Sequence, residues 1–375
     1  MNPILKATRK YLHEIDLFLV GLCLSCTAYG LLLVASATST FSTNRNIMVQ
    51  SIGAGIGIVM MIVISLFDYE TLCDLWKFFL ALSIAVMAFT LVFGTGPKGQ
   101  TNKNWIDLKV IMVQPAEFVK LSFIVSFAAC IERLKQNLNS VKALLLLGIH
   151  AAVVIGMVLL TGDTGTVIVF CFIAFFMLFA AGLSWKIQAA GLLTAVVATP
   201  FVWQYALKPY MRNRILFAFN PEGDPSGIGF QAVQSKIAIG SGQITGKGLF
   251  QGTQVNNVPE KQTDFIFAVA GEELGFVGSV LVVLLLAAVM LRILHHARTA
   301  RTDEGCLICV GVFAMFFIQV FENIGMCIGL LPVIGITLPF FSYGGSSILS
   351  VYCSIGLVLS VVRKRKSSSL DYLGD

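Results

Sequence analysis

The sequence predicts an all-α, polytopic membrane protein of about ten transmembrane helices, with one long extracellular loop between helices 7 and 8. Three observations predict it. Hydrophobic residues make up 57% of the 375 and charged residues only 12%. The mean hydropathy of +0.84 lies outside the range of an ordinary soluble domain. The charges gather between apolar runs long enough to cross a bilayer, which takes roughly 20 residues of helix.

Ten such runs follow one another, at about 16–38, 47–67, 76–94, 113–131, 141–160, 164–181, 186–206, 264–292, 305–328 and 342–362. A basic start (Lys6, Arg9, Lys10) precedes the first, and no small-residue cleavage site follows it, so this helix is expected to stay as an anchor. Gly53 and Gly57 give the second a small-xxx-small packing face. The fourth opens Q-P-A-E and carries Glu117 and Lys120 three residues apart inside an apolar helix. Burying either alone is expensive, so they are expected to pair, with each other or with a partner. They serve as a structural ion pair or as the polar floor of an apolar cavity. Asp163 in T-G-D-T-G-T and the Glu322, Asn323 pair read as structural polar points. The seventh run is followed by a polar, Gly-rich loop, about 207–263, and long ordered loops are usually functional. Between the last two runs, Gly329–Ser347 is apolar yet broken by Pro332, Pro339, Gly344 and Gly345. Irregular backbone at membrane depth must be buried or line a cavity, so this is a kinked hairpin or one wall of a lipid groove. No internal repeat or second domain appears, and residues 1–375 read as a single transmembrane domain.

Short-loop charges orient the chain. Segments assigned inside carry fifteen Lys and Arg: Lys6, Arg9, Lys10, Lys77, Arg133, Lys135, Lys142, Lys186, Arg292, Arg298, Arg301, Arg363, Lys364, Arg365 and Lys366. Short segments assigned outside carry four, Arg45, Lys98, Lys103 and Lys109. This positive-inside bias puts both termini in the cytoplasm. It also explains the net charge of +6 better than nucleic-acid binding does. The nine cysteines are an odd number lying mostly in apolar runs, which suits packing and not a disulfide framework. Cys306 and Cys309 have CxxC spacing but no second ligand pair. The stretch G-S-G-Q-I-T-G-K-G at Gly240–Gly248 fails the P-loop pattern, with Ser241 and Gly248 at two required positions; its glycines fit a tight turn or close backbone approach. There is no HExxH, nucleotide motif or Ser/His/Asp constellation.

The densest chemistry is V-P-E-K-Q-T-D-F-I-F-A-V-A-G-E-E-L-G at Val258–Gly275. Here Glu260, Lys261 and Asp264 meet the start of an apolar helix. On one continuous helix Asp264, Ala268, Gly271 and Gly275 share a face, so the acid sits above a strip of small residues. Either it caps the helix N-terminus or it acts as a base, kept ionised by facing water. Arg212 and Arg214, in Y-M-R-N-R, fit phosphate binding or interfacial anchoring, and Lys236 and Lys247 share that ambiguity.

At these residues the chain resembles the SEDS family (shape, elongation, division and sporulation), of the RodA type. The likeness lies in W-I-D-L at Trp105–Leu108, Q-P-A-E-F-V-K at Gln114–Lys120, Q-S-K-I-A-I-G-S-G at Gln234–Gly242, and G-K-G at Gly246–Gly248 with G-T-Q at Gly252–Gln254. P-E-K-Q-T-D-F-I-F at Pro259–Phe267 and G-I-T-L-P-F-F-S-Y-G-G-S-S at Gly335–Ser347 complete it. Two positions depart: Gln262 stands where His is frequent, and D-T-G-T at Asp163–Thr166 replaces the frequent D-L-G-T. The resemblance implies a ten-helix peptidoglycan glycosyltransferase of cell elongation acting on lipid II, with a class B penicillin-binding protein as partner. Asp264 matches the family's essential acid. The substrate-binding residues expected on this basis are Arg212, Lys120, Glu117, Trp105, Glu260, Lys261 and Ser342. Arg212 first, then Lys120 or a divalent cation (magnesium or manganese), would stabilise the leaving pyrophosphate. The rival expectations are a lipid II flippase and a non-catalytic scaffold for the transpeptidase.

Overall fold

The computed structural model describes residues 10–371 apart from 42, 97–101, 108, 110, 111, 208, 220–222 and 224–226. Lys6, Arg9, Lys98 and Leu108, used above, lie outside the described residues. The described chain is mainly helical: α1 Leu17–Ala37, α2 Arg45–Leu66, α3 Tyr69–Asp74, α4 Trp76–Phe93, α5 Pro115–Leu134, α6 Val141–Leu160 and α7 Thr164–Ala180. There follow α8 Trp185–Phe201, α9 Pro209–Phe219, α10 Ile228–Ser241, α11 Ile266–Glu273, α12 Gly275–Arg298, α13 Asp303–Cys327 and α14 Gly345–Asp371. A two-stranded antiparallel ribbon, β1 Ile106–Asp107 and β2 Met112–Val113, pairs Ile106 with Val113 between α4 and α5.

Among the described residues, eight helices are long and apolar enough to cross a membrane: α1, α2, α4, α6, α8 with its extension to Tyr205, α12, α13, and α14 as far as Lys364. The other two expected spans are present as helices. One is apolar but, at 17 residues, short (α7), and the other, α5, carries Glu117, Lys120, Glu132 and Arg133.

Burial sorts the helices. In α13 and α14, 72% and 83% of the spanning window is enclosed, against none in α8, so α13 and α14 form the centre and α8 the lipid-facing margin. The α2–α14 seam is the most extensive helix–helix contact among the described residues. A Cβ at Gly53 would come within 2.9 Å of Ile348 and one at Gly57 within 2.8 Å of Tyr352, so the small pair admits two large side chains of α14. At the opposite end from the long loop, Asp16 caps α1 through Phe18 N and Leu19 N, and its Oδ2 binds Arg292 at 2.5 Å and His296 at 2.6 Å. That carboxylate is held well below the usual range: burial opposes ionisation, but the His296 and Arg292 hydrogen bonds outweigh it.

The sequence expectation of one helix over 264–292 is corrected. The helix breaks between α11 and α12 at Leu274 and Gly275, where Gly275 has φ +65°. A side chain there would overlap the backbone of Ile244 and Gly246, so the long loop passes through the break. That loop is itself helical over α9 and α10.

Candidate functional site

The site forms where three stretches meet: the Pro259–Phe265 turn, the irregular Gly329–Tyr343 segment, and the adjoining ends of α9, α10 and α13. Asp264 lies in that turn, ahead of α11 and outside the spanning helix α12. Phe265, not Asp264, holds the N-cap position of α11, and no side chain caps the helix. The shared-face argument for Asp264, Ala268, Gly271 and Gly275 fails, because Asp264 precedes the helix and Gly275 opens the next one.

Asp264 is held by its backbone. Asn323 Nδ2 donates 2.7 Å to Asp264 O and 2.8 Å to Ile336 O. Ser342 Oγ donates 2.6 Å to Thr263 O and accepts from Leu338 N at 2.8 Å, while Tyr343 N donates to Gln262 O at 2.8 Å. Gly335, at φ +84°, closes over the acid: a Cβ there would stand 3.2 Å from Asp264 Oδ2. Among the described residues none donates a hydrogen bond to the Asp264 carboxylate. The residue keeps a partial opening to solvent, yet burial raises its pKa to about 7; neighbouring Glu260 pushes it up further and Arg214 draws it down. This replaces the expectation of a carboxylate kept ionised by facing water. The acid is poised near neutrality.

The other expected residues fall in different places. Glu260 is exposed, in the left-handed region at φ +53°, and accepts from Gln262 Nε2 and Thr263 Oγ1 at 3.2 Å. Lys261 is buried, its Nζ turned to Asn256 Oδ1 at 2.5 Å and Thr40 Oγ1 at 3.5 Å, and burial lowers its pKa. With Phe41 and Pro259 these residues line a cavity of about 610 Å³ beside the turn. Arg212 holds backbone with two of its donors: Nε reaches Leu207 O at 3.0 Å and Nη2 reaches Gln204 O at 2.8 Å. Arg214 is the arginine beside Asp264. Its Nη1 donates 3.2 Å to Ile334 O, and its buried Nε has no partner among the described residues. Lys236 lies against Gly329 in the same neighbourhood.

Glu117 and Lys120 pair at 2.8 Å inside the bundle, and Ser350 Oγ donates to Glu117 Oε2 at 2.6 Å. No hydrogen bond or ion pair among the described residues joins this trio to Asp264. Ser347, which binds Thr337 Oγ1 at 2.8 Å and offers its carbonyl to Ser350, lies between it and the Gly335 segment. Half-buried Trp105 bridges Thr95 through both backbone groups. Its loop is tied down at Asp163, whose Oδ2 accepts from Asn104 and Gln114 at 3.3 and 2.7 Å.

Sequence reasoning passed over Glu272. Its buried carboxylate accepts Thr253 N, Gln254 N and Val255 N at 2.6–2.9 Å and Lys247 Nζ at 2.5 Å. The long loop is thereby fastened to α11. Gly242 and Gly246 lie so close that a Cβ would overlap the carbonyl oxygens of Gly271 and Glu273, which accounts for the Gly-rich stretch as close backbone approach. Among the described residues no group of three or more His, Cys, Asp or Glu assembles a metal site.

Comparison with known proteins agrees with this geometry. The family model described as "Cell cycle protein", covering FtsW, RodA and SpoVE, matches residues 16–367. The chain is 33% identical over 377 residues to the peptidoglycan glycosyltransferase MrdB of Escherichia coli (strain K12), covering 98% of each. It is 36% identical over 362 residues to stage V sporulation protein E of Bacillus subtilis (strain 168), covering 93% of this chain and 97% of that protein. Among solved structures, one described as "Structural coordination of polymerization and crosslinking by a peptidoglycan synthase complex" superposes with a TM-score of 0.82 at 30% identity, covering 94% of this chain and 98% of that one.

Proposed function

The chain belongs to the FtsW/RodA/SpoVE family and is a multi-pass membrane peptidoglycan glycosyltransferase, and from that premise we propose that it polymerises lipid II during cell elongation with Asp264 as general base. The observation that carries this reading is the state of Asp264: a carboxylate with a pKa near 7, with no hydrogen-bond donor among the described residues, faced by a glycine at Gly335 where a side chain would crowd Oδ2. A general base works best when its pKa lies near the operating pH and an acceptor proton is within reach.

Asp264 removes the proton from the 4-hydroxyl of the acceptor GlcNAc. That oxygen forms its bond to the anomeric carbon of the lipid-linked donor as the carbon–oxygen bond to the diphosphate breaks, inverting the centre from α to β. The electron pair leaves on undecaprenyl diphosphate, and the proton stays on Asp264 until solvent takes it. Arg214, the cation whose charge Asp264 feels, is the first for the departing diphosphate, ahead of Arg212. Lys236 lies on the approach, and Glu117 holds Lys120 as a polar floor deeper in the bundle. Trp105, Glu260, Lys261 and Ser342 border or brace the substrate space. The chain acts as one transmembrane domain with about ten spans, both termini in the cytoplasm and the Asp264 end outside, where wall polymer grows. A class B penicillin-binding protein is the crosslinking partner.

The test is polymerisation of lipid II in detergent by the purified protein with its partner. Wild type should make glycan and Asp264→Asn should not. Near-wild-type polymer from Asp264→Asn overturns the base. Transport of lipid II across vesicles without polymer would assign the protein to the flippase reading, and an active cell-wall complex with a dispensable Asp264 to the scaffold reading.

A further inference from the structure

We propose that Asn323 is a positioning residue of the transfer reaction, one buried amide that staples the backbone of the base to the wall facing it. The proposal rests on Asp264 as the base. Asn323 is wholly enclosed within α13. A side-chain amide has two N–H protons, and both acceptors within reach of Nδ2 belong to the cleft: Asp264 O at 2.7 Å on one side and Ile336 O at 2.8 Å on the other. Ile336 adjoins Gly335, which faces Asp264 Oδ2. Asn323 is thus the tie that joins the Asp264 main chain itself to its opposing wall, through a side chain that bonds neither carboxylate oxygen.

The neighbouring ties act further from the acid: Ser342 joins Thr263 O to Leu338 N, Tyr343 N reaches Gln262 O, and Cys327 Sγ approaches Asp264 O only at 3.7 Å, a weak contact. Without the Asn323 amide, two buried carbonyls lose their donors. The Asp264 peptide is then free to turn between Thr263 and the first residues of α11. A misplacement of about 1 Å at a reacting group costs on the order of 100-fold in rate. The cations that would hold diphosphate, Arg214 and Lys236, stand on α9 and α10; neither bonds Asn323, and Arg214 has its own tie to the wall at Ile334 O. Loss of the amide should thus fall on kcat and spare KM.

The experiment measures glycan polymerisation by the full-length protein over a range of lipid II concentrations, for wild type, Asn323→Ala, the equal-sized Asn323→Asp, and Asp264→Asn. Thermal unfolding of each is followed in the same detergent. A drop in kcat of about 100-fold with KM within about twofold, in an Asn323 variant that unfolds cooperatively, is the expected result. A folded Asn323 variant with kcat within threefold of wild type, or with its whole defect in KM, overturns the positioning role while leaving Asp264 in place. Failure of both variants to fold assigns Asn323 to assembly alone and also overturns it. An active Asp264→Asn sinks the base beneath it instead.

Discussion

Replacing Asp264 by Asn should make the protein more stable as it makes it inactive, and the two effects have one cause. The folded carboxylate titrates near 7 against 3.8 for its ordinary value, chiefly because folding buries it. Between these values the folded chain holds a proton that the unfolded chain has released. Stability therefore falls as pH rises through this window and is lowest above about 7, where both states are ionised and the folded one bears the whole desolvation cost. Three units at 1.36 kcal/mol each bound that cost at about 4 kcal/mol, and the partial exposure of Asp264 brings the expectation to about 2–4 kcal/mol. Asn carries no charge to desolvate, and it forfeits no hydrogen bond to a described donor. The assay is thermal unfolding of detergent-solubilised wild type and Asp264→Asn at pH 5 and pH 8. Wild type should lose stability from pH 5 to pH 8, the variant should lose far less, and the gap should be widest at pH 8. Equal stability at pH 8, or the same pH slope in both proteins, would refute the reasoning.

Two further outcomes follow from the same contacts. In the polymerisation assay, kcat/KM should fall about tenfold per pH unit below about 7 as Asp264 protonates; Glu260→Gln should move the inflection to lower pH and Arg214→Gln to higher pH, and an inflection unmoved by either change contradicts the assignment. Glu272→Ala orphans three backbone N–H groups and a lysine, which costs about 3–5 kcal/mol, so proteolytic nicking within residues 243–257 should rise at least about 100-fold; a change under threefold would show that the loop is anchored elsewhere.

The helices were legible because hydropathy reports length and apolarity, and α1, α2, α4 and α6 begin and end within a few residues of the runs that announce them. The α11–α12 break was not legible. Hydropathy stays high across Leu274 and Gly275, and only the intrusion of Ile244 and Gly246 shows why the backbone must turn there. Asp264 stood out as an acid against an apolar run, but its state was misread, since exposure depends on Gly335 and Asn323, 71 and 59 residues away in sequence. Arg212 and Arg214 could not be told apart in sequence. Two residues along a helix turn the side chain through about 200°, so only one of them meets Ile334. The partner of Glu273 is more remote still: it takes Ser36 Oγ at 2.6 Å across 237 residues.

The way Asp264 is held bears on what it can do. A carboxylate is most simply fixed by donors to its oxygens, and each such bond stabilises the charged form and lowers the pKa. Asp16, at the other end of the bundle, is held in this way by Arg292 and His296 and is far too weak a base for proton abstraction near neutrality. At Asp264 the restraints act on the main chain, on the carbonyls of Gln262, Thr263 and Asp264 itself. Burial can then raise the pKa against only the pull of Arg214, since no described residue donates a hydrogen bond to the carboxylate. Rigidity and basicity, which compete when side-chain bonds do the holding, are separated here by letting Asn323, Ser342 and Tyr343 grip the main chain.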